Sequence, residues 1–325
     1  MPDSTLVAQY PQYAASHPME SEWVAVLRCP GCGSAAITDC GLIPDSRYVF
    51  DGVTVPLPAS GITVKRCDAC ELVYKSPLPA PAFLERLFAD HAAEKWKTSH
   101  DFTAEVALLR QLGPSDGFDV LDVGAAGGAL LAACIGQGTG GRRSALDVMR
   151  YPGIENHLAG EFITGFLDQP GLAWSGEPYD VVTMFDVLEH LYEPRIAFEN
   201  LRAMVRRNGL VLVETGDTES YWPRRFGAHC WWYVRLIEHH VFWSRRSLQA
   251  IAAAHGFEIV MWNAVTHKSR HVLDLRRTLG DLAKVALYRI APHRYAAIAG
   301  WFGKQGIQPW YPFTRDHVQA CLRRT

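Results

Sequence analysis

VLDVGAAGGAL, at positions 120–130, is the stretch that decides the fold of this chain. It combines a short apolar strand, an acidic residue, a glycine-rich turn and the first residues of a helix. Glycine lets the backbone turn tightly and approach a ligand closely, and the start of a helix presents amide groups that are not bonded within the helix. These features predict the nucleotide-binding edge of a doubly wound α/β domain.

The spacing of the glycines narrows the choice of ligand. A dinucleotide-binding loop needs G-x-G-x-x-G to hold a pyrophosphate, and the run from Gly124 to Gly128 does not fit this pattern. Asp122 would repel a pyrophosphate, but it can attract the ammonium group of an amino acid. S-adenosylmethionine carries such an ammonium group together with a ribose and no phosphate.

Further strands and helices complete the predicted sheet. A second strand ends at Asp147, at about the spacing where an acid meets a ribose hydroxyl. The other predicted strands are 118–123, 161–165, 179–185, 209–215 and 257–260. The apolar periodicity predicts helices over about 195–207 and 247–255, the first of them ending at Asn208-Gly209. The segment after the second strand is short, so a reduced second helix is expected.

Two sequence motifs carry a resemblance to a known family. Asp122, Gly124, Ala126 and Gly128 resemble D/E-x-G-x-G-x-G, the first motif of the class I S-adenosylmethionine-dependent methyltransferases, with alanine in place of one glycine. FDVLEHL at positions 185–191 is similar to the segment after the fourth strand in one large branch of that family. The resemblance covers roughly residues 119–260 and implies a Rossmann-like sheet.

The same resemblance implies roles for the residues around the cofactor. Asp122 and the glycine loop would bind the methionine part, and Asp147 would bind the ribose. The pocket would be completed by Val148, Asp168, Phe185 and Asp186, with Asp168 near the adenine amino group, or with Phe166 and Leu167 flanking the ring instead. The alternatives are a nucleotide-type α/β domain for another ligand and a degenerate domain without one.

Cysteine pairs distinguish the N-terminal part of the chain. Cys29 and Cys32 form one C-x-x-C pair, and Cys67 and Cys70 form another. Two such pairs supply the four sulfurs of a tetrahedral structural zinc site, and Asp-Gly in the long gap between them predicts a hairpin. A redox pair is the main alternative, and Cys40 could replace one ligand.

The segment after the fifth strand supplies the candidate catalytic residues. EHHVFWS, at positions 238–244, resembles the pattern E-H-x-x-[YF]-[FW]-S of sugar C-methyltransferases, which also carry a cysteine-rich N-terminal module. Carried over, Glu238 and His239 become the acid/base candidates, followed by His240. The alternative is that this phrase only packs the loop. Residues 90–100 lack the family's aromatic-serine motif, and the chain lacks a second C-terminal α/β domain, which weakens the assignment to sugars.

The organisation along the chain follows from these motifs. We predict an N-terminal arm (1–24), a zinc-binding module (25–80), a helical cap (81–113), a methyltransferase core (114–264) and a helical or irregular C-terminal extension (265–325). The net charge is −2 and no block of like charges occurs, which argues against nucleic-acid binding. No signal peptide and no membrane span are recognised, so a cytoplasmic monomer or homodimer is expected.

The predicted function is methyl transfer from S-adenosylmethionine to a small-molecule acceptor. The acceptor would be a sugar, a nucleotide sugar or a natural-product intermediate, and zinc would be a structural metal. The alternatives are a methyltransferase that acts on a protein or carrier-bound substrate, with the cysteine module as its docking platform, and a non-catalytic scaffold that binds the cofactor.

Overall fold

A seven-stranded sheet forms the centre of the computed structural model. The structure describes residues 13–15, 22–43, 45–50, 53–87, 100–113, 117–174, 176–266, 275–291, 294–295, 297–298 and 315–325. The strand order is β11-β10-β9-β12-β13-β16-β15, in which the strands from β11 to β13 are parallel and β16 is antiparallel to both neighbours. This mostly parallel order confirms the predicted Rossmann-like α/β fold.

The elements are numbered along the chain. Those of the N-terminal part are β1 (Tyr13–Ala15), β2 (Trp23–Val26), β3 (Ile37–Ile43), β4 (Arg47–Phe50), β5 (Val53–Pro56), β6 (Ile62–Cys67), β7 (Val73–Ser76), β8 (Leu78–Pro79) and a helix α1 over 81–87. From residue 100 the chain forms α2 (Thr103–Leu112), β9 (Val120–Val123), α3 (Ala129–Gly136), β10 (Arg143–Asp147), β11 (Phe162–Thr164), β12 (Tyr179–Phe185), α4 (Pro194–Met204), β13 (Val205–Gly216), α5 (Tyr221–Phe226), β14 (Val241–Phe242), α6 (Arg245–Ala254), β15 (Phe257–Val265), α7 (Leu275–Ile290) and β16 (His317–Arg324). Short 3-10 turns occupy Ile154–His157, Leu188–His190, Ala228–Cys230 and Trp232–Arg235.

Two apolar layers bury the faces of the central sheet. Val181 on β12 packs with α2 and α3, whereas its neighbour Val182 packs on the opposite face with α4 and α6. Successive side chains of a strand point to opposite faces, so a strand that is covered on both sides is apolar along its whole length. This explains why β12 was predicted with its observed bounds.

The cysteine module is joined to the core by a shared sheet. Its four-stranded sheet has the order β14-β7-β6-β3, and β14 comes from the segment that follows the core strand β13. The Lys75 ammonium is buried at this junction and donates hydrogen bonds to the carbonyls of Leu236 and Ile237, at 2.6 and 3.4 Å. The segment with the candidate catalytic residues is therefore held between the module and the core.

Several boundaries differ from the predictions. The helix α4 ends at Met204 instead of Arg207, because Val205 is buried and pairs with Tyr179 as the first residue of β13. Asn208, predicted as part of a helix cap, has a left-handed φ of 64° within this strand. The reduced second helix is confirmed, since only the 3-10 turn Ile154–His157 lies between β10 and β11.

The strand β16 was not predicted. The last strand predicted from the sequence is 257–260, and the residues from 265 onwards are predicted as a helical or irregular extension. In the structure, β16 lies inside the sheet between β13 and β15. A helix after residue 264 was expected and is present as α7. The aromatic motifs at 301–302 and 309–313, and most of the segment 90–100, lie outside the described residues.

The lengths and polarity of the helices in the described part of the chain bear on membrane insertion. None of its helices is both long enough and apolar enough to cross a bilayer.

Candidate functional site

The glycine loop links the end of β9 to the start of α3. Gly124, Ala126 and Gly128 all have a left-handed backbone, with φ of 72°, 44° and 79°. A Cβ on Gly124 would lie 2.6 Å from Val187 Cγ2, a separation that forces a shift of one of the two segments. Ala126, which stands where the family motif has a glycine, adopts a backbone conformation that glycine favours.

Asp147 fixes this loop from the neighbouring strand. Its Oδ2 accepts a hydrogen bond from the amide of Ala126 at 2.8 Å, and its Oδ1 accepts one from the amide of Met149 at 3.3 Å. Burial raises the pKa of Asp147, and these backbone amides oppose the shift. The amide of Val148 acts in the same direction, and a carboxylate can accept about four hydrogen bonds, so the group has capacity for about one more donor.

Asp122 lies at the end of the central strand β9 and is buried. Its Oδ1 accepts a hydrogen bond from Thr183 Oγ1 on β12, at 2.7 Å. The pKa of Asp122 is raised to about 7. Burial is the largest cause, the Thr183 hydrogen bond lowers the pKa, and the nearby charge of Asp147 raises it. Two carboxylates thus flank the glycine loop, an arrangement that disfavours a phosphate group and favours a cationic one.

The other predicted cofactor residues have different surroundings. Asp168 is 4 % exposed, and its Oδ2 accepts hydrogen bonds from the amides of Tyr192 and Glu193, at 2.7 and 2.9 Å, so it anchors the residues that lead into α4. Phe166 is more exposed than Asp168. The partly buried residues Val148, Phe185 and Asp186 follow or end strands at the same edge as the glycine loop, and the ring of Phe185 contacts that of Phe102, with centroids 5.1 Å apart.

The three candidate catalytic residues face in different directions. Glu238 faces the cysteine module, where Tyr48 donates a hydrogen bond to its Oε1 at 3.5 Å. His240 is fully buried beside Tyr192, with ring centroids 4.0 Å apart, and burial and then the charge of Lys75 hold its pKa well below the usual range. Both effects favour the neutral form of the His240 imidazole.

His239 faces the strand ends of the core. Its Nδ1 lies 3.1 Å from the carbonyl oxygen of Tyr233, and its ring contacts that of His190 edge to face, with centroids 4.8 Å apart. The structure thereby brings His239 together with Glu189 and His190, and one ligand atom from each of the three lies within 4.8 Å of the others. We call this group the Glu189 cluster.

Sequence reasoning missed the Glu189 cluster. The signal was present as two Glu-His pairs, at 189–190 and 238–239, but their meeting depends on how the segment after β13 folds back over the sheet. Glu189 is completely buried, and its Oε2 accepts a hydrogen bond from Thr215 Oγ1 at 2.8 Å.

The four cysteines of the two C-x-x-C pairs converge. Their sulfur atoms all lie within 4.8 Å of one another, and two of the distances, Cys29–Cys70 and Cys32–Cys67, are 3.5 Å. Four sulfurs around a zinc ion at 2.3 Å would be about 3.8 Å apart, so the observed spacing fits the ion. Cys40 is outside this group and donates to the carbonyl of Thr38.

The backbone of the two pairs follows the same pattern. Gly33 and Glu71, each directly after the second cysteine, have left-handed φ of 75° and 62°. Their amides bond to the carbonyls of Cys29 and Cys67, at 2.8 and 2.9 Å. None of the four cysteines forms a disulfide in this structure. The repeated turn points the two thiols of each pair to one side, which is the arrangement that a shared metal ion requires.

Comparisons with solved structures find distant similarities. A 1,6-didemethyltoxoflavin-N1-methyltransferase from Burkholderia thailandensis, solved with its substrate and S-adenosylhomocysteine, is 14% identical with a TM-score of 0.48, over 86% of this chain and 100% of that one. Phosphoethanolamine N-methyltransferase 2 from Haemonchus contortus, solved with S-adenosyl-L-methionine, is 19% identical with a TM-score of 0.49, over 78% of this chain and 62% of that one. A comparison with curated protein sequences finds no match.

The family assignment rests on a sequence model. The model described as "Methyltransferase domain" matches residues 80–261, which is more than half of the 325 residues. The match includes the glycine loop, Asp122, Asp147 and both Glu-His pairs. The chain therefore belongs to the methyltransferase-domain family, which confirms the prediction of a class I S-adenosylmethionine-dependent methyltransferase domain.

Proposed function

We propose that this protein transfers the methyl group of S-adenosylmethionine to a small-molecule acceptor, such as a sugar, a nucleotide sugar or a natural-product intermediate. The observation that carries the proposal is the pair of carboxylates around the glycine loop, with Asp147 bonded directly to the amide of Ala126. When it is bound, this cofactor supplies an electrophilic methyl group on a sulfonium ion.

The proposed cofactor residues match the chemical groups that they would bind. The Asp147 carboxylate has capacity for about one further hydrogen bond, which a ribose hydroxyl could donate. Asp122 offers a negative charge for the ammonium group, in surroundings where burial strengthens the interaction. Val148, Asp168, Phe185 and Asp186 remain proposed contacts, of which Asp168 also holds the chain before α4.

The acceptor side of the proposed site lies around His239. A carbonyl oxygen can only accept a hydrogen bond, so the contact to Tyr233 fixes the proton of His239 on Nδ1 and leaves the lone pair on Nε2. This lone pair can take a proton from an acceptor or bind a Lewis acid. Glu238 contacts Tyr48, so we assign it the role of positioning the loop.

A small acceptor is favoured by the burial of this region. His239 is 6 % exposed and Glu189 is completely buried. An acceptor atom that reaches these groups has to enter a narrow, enclosed space. Methyl transfer depends strongly on the alignment of the reacting atoms, and an enclosed site limits the orientations of a small molecule.

A structural zinc ion in the N-terminal module is the second part of the proposal. The four sulfurs of Cys29, Cys32, Cys67 and Cys70 would complete a tetrahedral shell and leave no position for a substrate. The ion would stabilise a segment that is too small to form a large core by itself.

Calorimetric titration of the full-length protein with S-adenosylhomocysteine tests the proposal, with NAD as the control ligand. We expect micromolar binding of the former and none of the latter. Protein that binds would then be incubated with labelled S-adenosylmethionine and panels of sugars, nucleotide sugars and carrier-bound substrates. Absence of binding by folded, zinc-loaded protein would overturn the cofactor assignment, and transfer only to carrier-bound substrates would overturn the acceptor class.

A further inference from the structure

The Glu189 cluster has the composition of a metal site. It consists of one carboxylate and two imidazoles, held at the ends of the core strands by the turn Leu188–His190 and by the segment after β13. Two of its members are buried and His190 is about 29% exposed at its side chain. The cluster is thus enclosed by protein and still reachable from solvent on one side.

Backbone carbonyls orient both imidazole rings. His190 Nδ1 lies 2.7 Å from the carbonyl oxygen of Glu238, and His239 Nδ1 lies 3.1 Å from that of Tyr233. Because a carbonyl oxygen cannot donate, both rings carry their proton on Nδ1 and the lone pair on Nε2. Histidines that bind metals are usually held in this way, with the remote N–H given to a carbonyl or carboxylate.

The carboxylate of Glu189 is also held in a fixed orientation. Oε2 of Glu189 accepts the hydrogen bond from Thr215 Oγ1, which fixes the orientation of the group. Its Oε1 is buried and has no hydrogen-bond partner among the residues that the structure describes. Nε2 of His190 lies 4.0 Å from this Oε1. This is too far for a hydrogen bond, whereas an ion between the two atoms would bridge them after a small contraction.

We propose that Glu189, His190 and His239 bind a divalent transition-metal ion. Two imidazole nitrogens and one carboxylate oxygen suit transition metals better than Mg²⁺ or Ca²⁺, which prefer oxygen ligands. Three protein ligands leave positions open, in contrast to the four-sulfur site in the N-terminal module. The two sites also differ in softness, because thiolates select zinc over a harder ion such as Mn²⁺.

The position of the cluster relates the ion to the proposed reaction. Glu189 follows β12, whose last residues lie at the same edge of the sheet as the glycine loop. The ion would take the Nε2 lone pair of His239, so that His239 would not act as the base. A hydroxyl of the acceptor beside the ion would instead lose its proton to water, and its oxygen would bond to the methyl carbon as the bond to the sulfonium sulfur breaks and S-adenosylhomocysteine leaves. This last step rests on the proposed function, whereas binding of the ion does not.

Mn²⁺ binding to the full-length, zinc-loaded protein tests the proposal directly. Free Mn²⁺ gives an electron paramagnetic resonance signal that is lost on binding, so titration gives the affinity without cofactor or acceptor. We expect binding of one ion per chain, with modulation of the spin echo by histidine nitrogen. Glu189→Gln and His239→Gln should each weaken binding by about tenfold or more, and Thr215→Val should weaken it less.

A matched control comes from His255. Its Nδ1 also bonds to a backbone carbonyl, that of Ile251 at 2.8 Å, but it lies at the end of α6 outside the cluster. His255→Gln should bind Mn²⁺ as the unaltered protein does. Circular dichroism would confirm that each variant is folded. The proposal is overturned if Mn²⁺ does not bind, if both cluster variants keep full affinity while folded, or if the bound ion shows no nitrogen modulation.

Discussion

The carboxylate of Asp147 is bonded to the amide of Ala126 at 2.8 Å, which ties the end of β10 to the glycine loop. One side chain therefore shapes the loop and, in the proposed complex, binds the ribose. Asp147→Ala should weaken the binding of S-adenosylhomocysteine by about 1–3 kcal/mol, the cost of leaving hydrogen-bonding groups without a partner. Calorimetric titration measures this change.

Asp119 provides a control for this experiment. It also accepts a hydrogen bond from a backbone amide, that of Arg142 at 2.8 Å, but it precedes β9 at the opposite edge of the sheet. Asp119→Ala should leave the affinity for the ligand unchanged. Equal affinities of the Asp147→Ala variant and the unaltered protein would remove Asp147 from the site.

Asp122 should make ligand binding depend on pH. Burial raises its pKa to about 7, so the folded protein holds more protons than the unfolded chain between roughly pH 4 and pH 7. The contribution of this group to stability is therefore fully present below about pH 4 and is lost as the pH rises to about 7. A bound ammonium group favours the ionised carboxylate, so affinity should increase over the same range.

This dependence can be measured by calorimetry in buffers of different ionisation enthalpy, where binding below about pH 7 should release a proton. Asp122→Asn should weaken binding and remove its pH dependence. If the affinity of the unaltered protein stays constant from about pH 5 to pH 8, Asp122 does not bind the ammonium group of the ligand.

The glycine loop predicts opposite effects for two reciprocal substitutions. Ala126 has a left-handed φ of 44°, which is unfavourable for a residue with a Cβ. Gly128 has a φ of 79°, and a Cβ added to it would lie 3.1 Å from His157 Cδ2. Ala126→Gly should raise the free energy of unfolding by about 0.5–1 kcal/mol, and Gly128→Ala should lower it by about 1–2 kcal/mol. Urea unfolding measures both, and two changes of the same sign would show that backbone strain does not govern this loop.

The cysteine site predicts a defined zinc content. We expect about one zinc per chain, and its loss in Cys67→Ser should lower Tm by about 5 °C or more, the shift that ~2 kcal/mol gives in a domain of this size. Elemental analysis and thermal unfolding measure the two effects. Cys40→Ser is the matched control, because Cys40 lies outside the four-sulfur group. Zinc retained in Cys67→Ser would remove Cys67 from the required ligands, and a disulfide found by mass spectrometry in the unaltered protein would favour the redox alternative.

Local patterns were enough to predict the parallel part of the sheet. The strand β12 was predicted with its observed bounds, since it is a mostly apolar run that is buried on both faces, and β10 ends at Asp147 as predicted. The convergence of the cysteines was also predictable, because a C-x-x-C turn places both thiols on one side. In these cases the sequence within a few residues determines the structure.

Other features depend on contacts between distant segments. The meeting of His239 with Glu189 requires the chain after β13 to return across the sheet and to pair as β14 with β7. Asp168 remains a proposed cofactor contact, and the sequence did not predict that its carboxylate also accepts hydrogen bonds from the amides of Tyr192 and Glu193. Neither arrangement has a local signature, because a sequence pattern does not show which buried amide a carboxylate will bond.

The strand β16 also depends on contacts between distant segments and was not predicted from the sequence. Its position leads to a prediction about stability. It forms hydrogen bonds with β13 on one side and β15 on the other, and Ala320 near its middle is completely buried. Ala320→Asp places a charge without a partner in the apolar layer that covers one face of the sheet. It should therefore lower the free energy of unfolding by more than about 3 kcal/mol. Arg323→Ala changes a side chain that is 41% exposed and should alter it by less than about 0.5 kcal/mol. Denaturant unfolding followed by circular dichroism compares the two, and similar stability of both variants would mean that the last strand is an appendage and not part of the core.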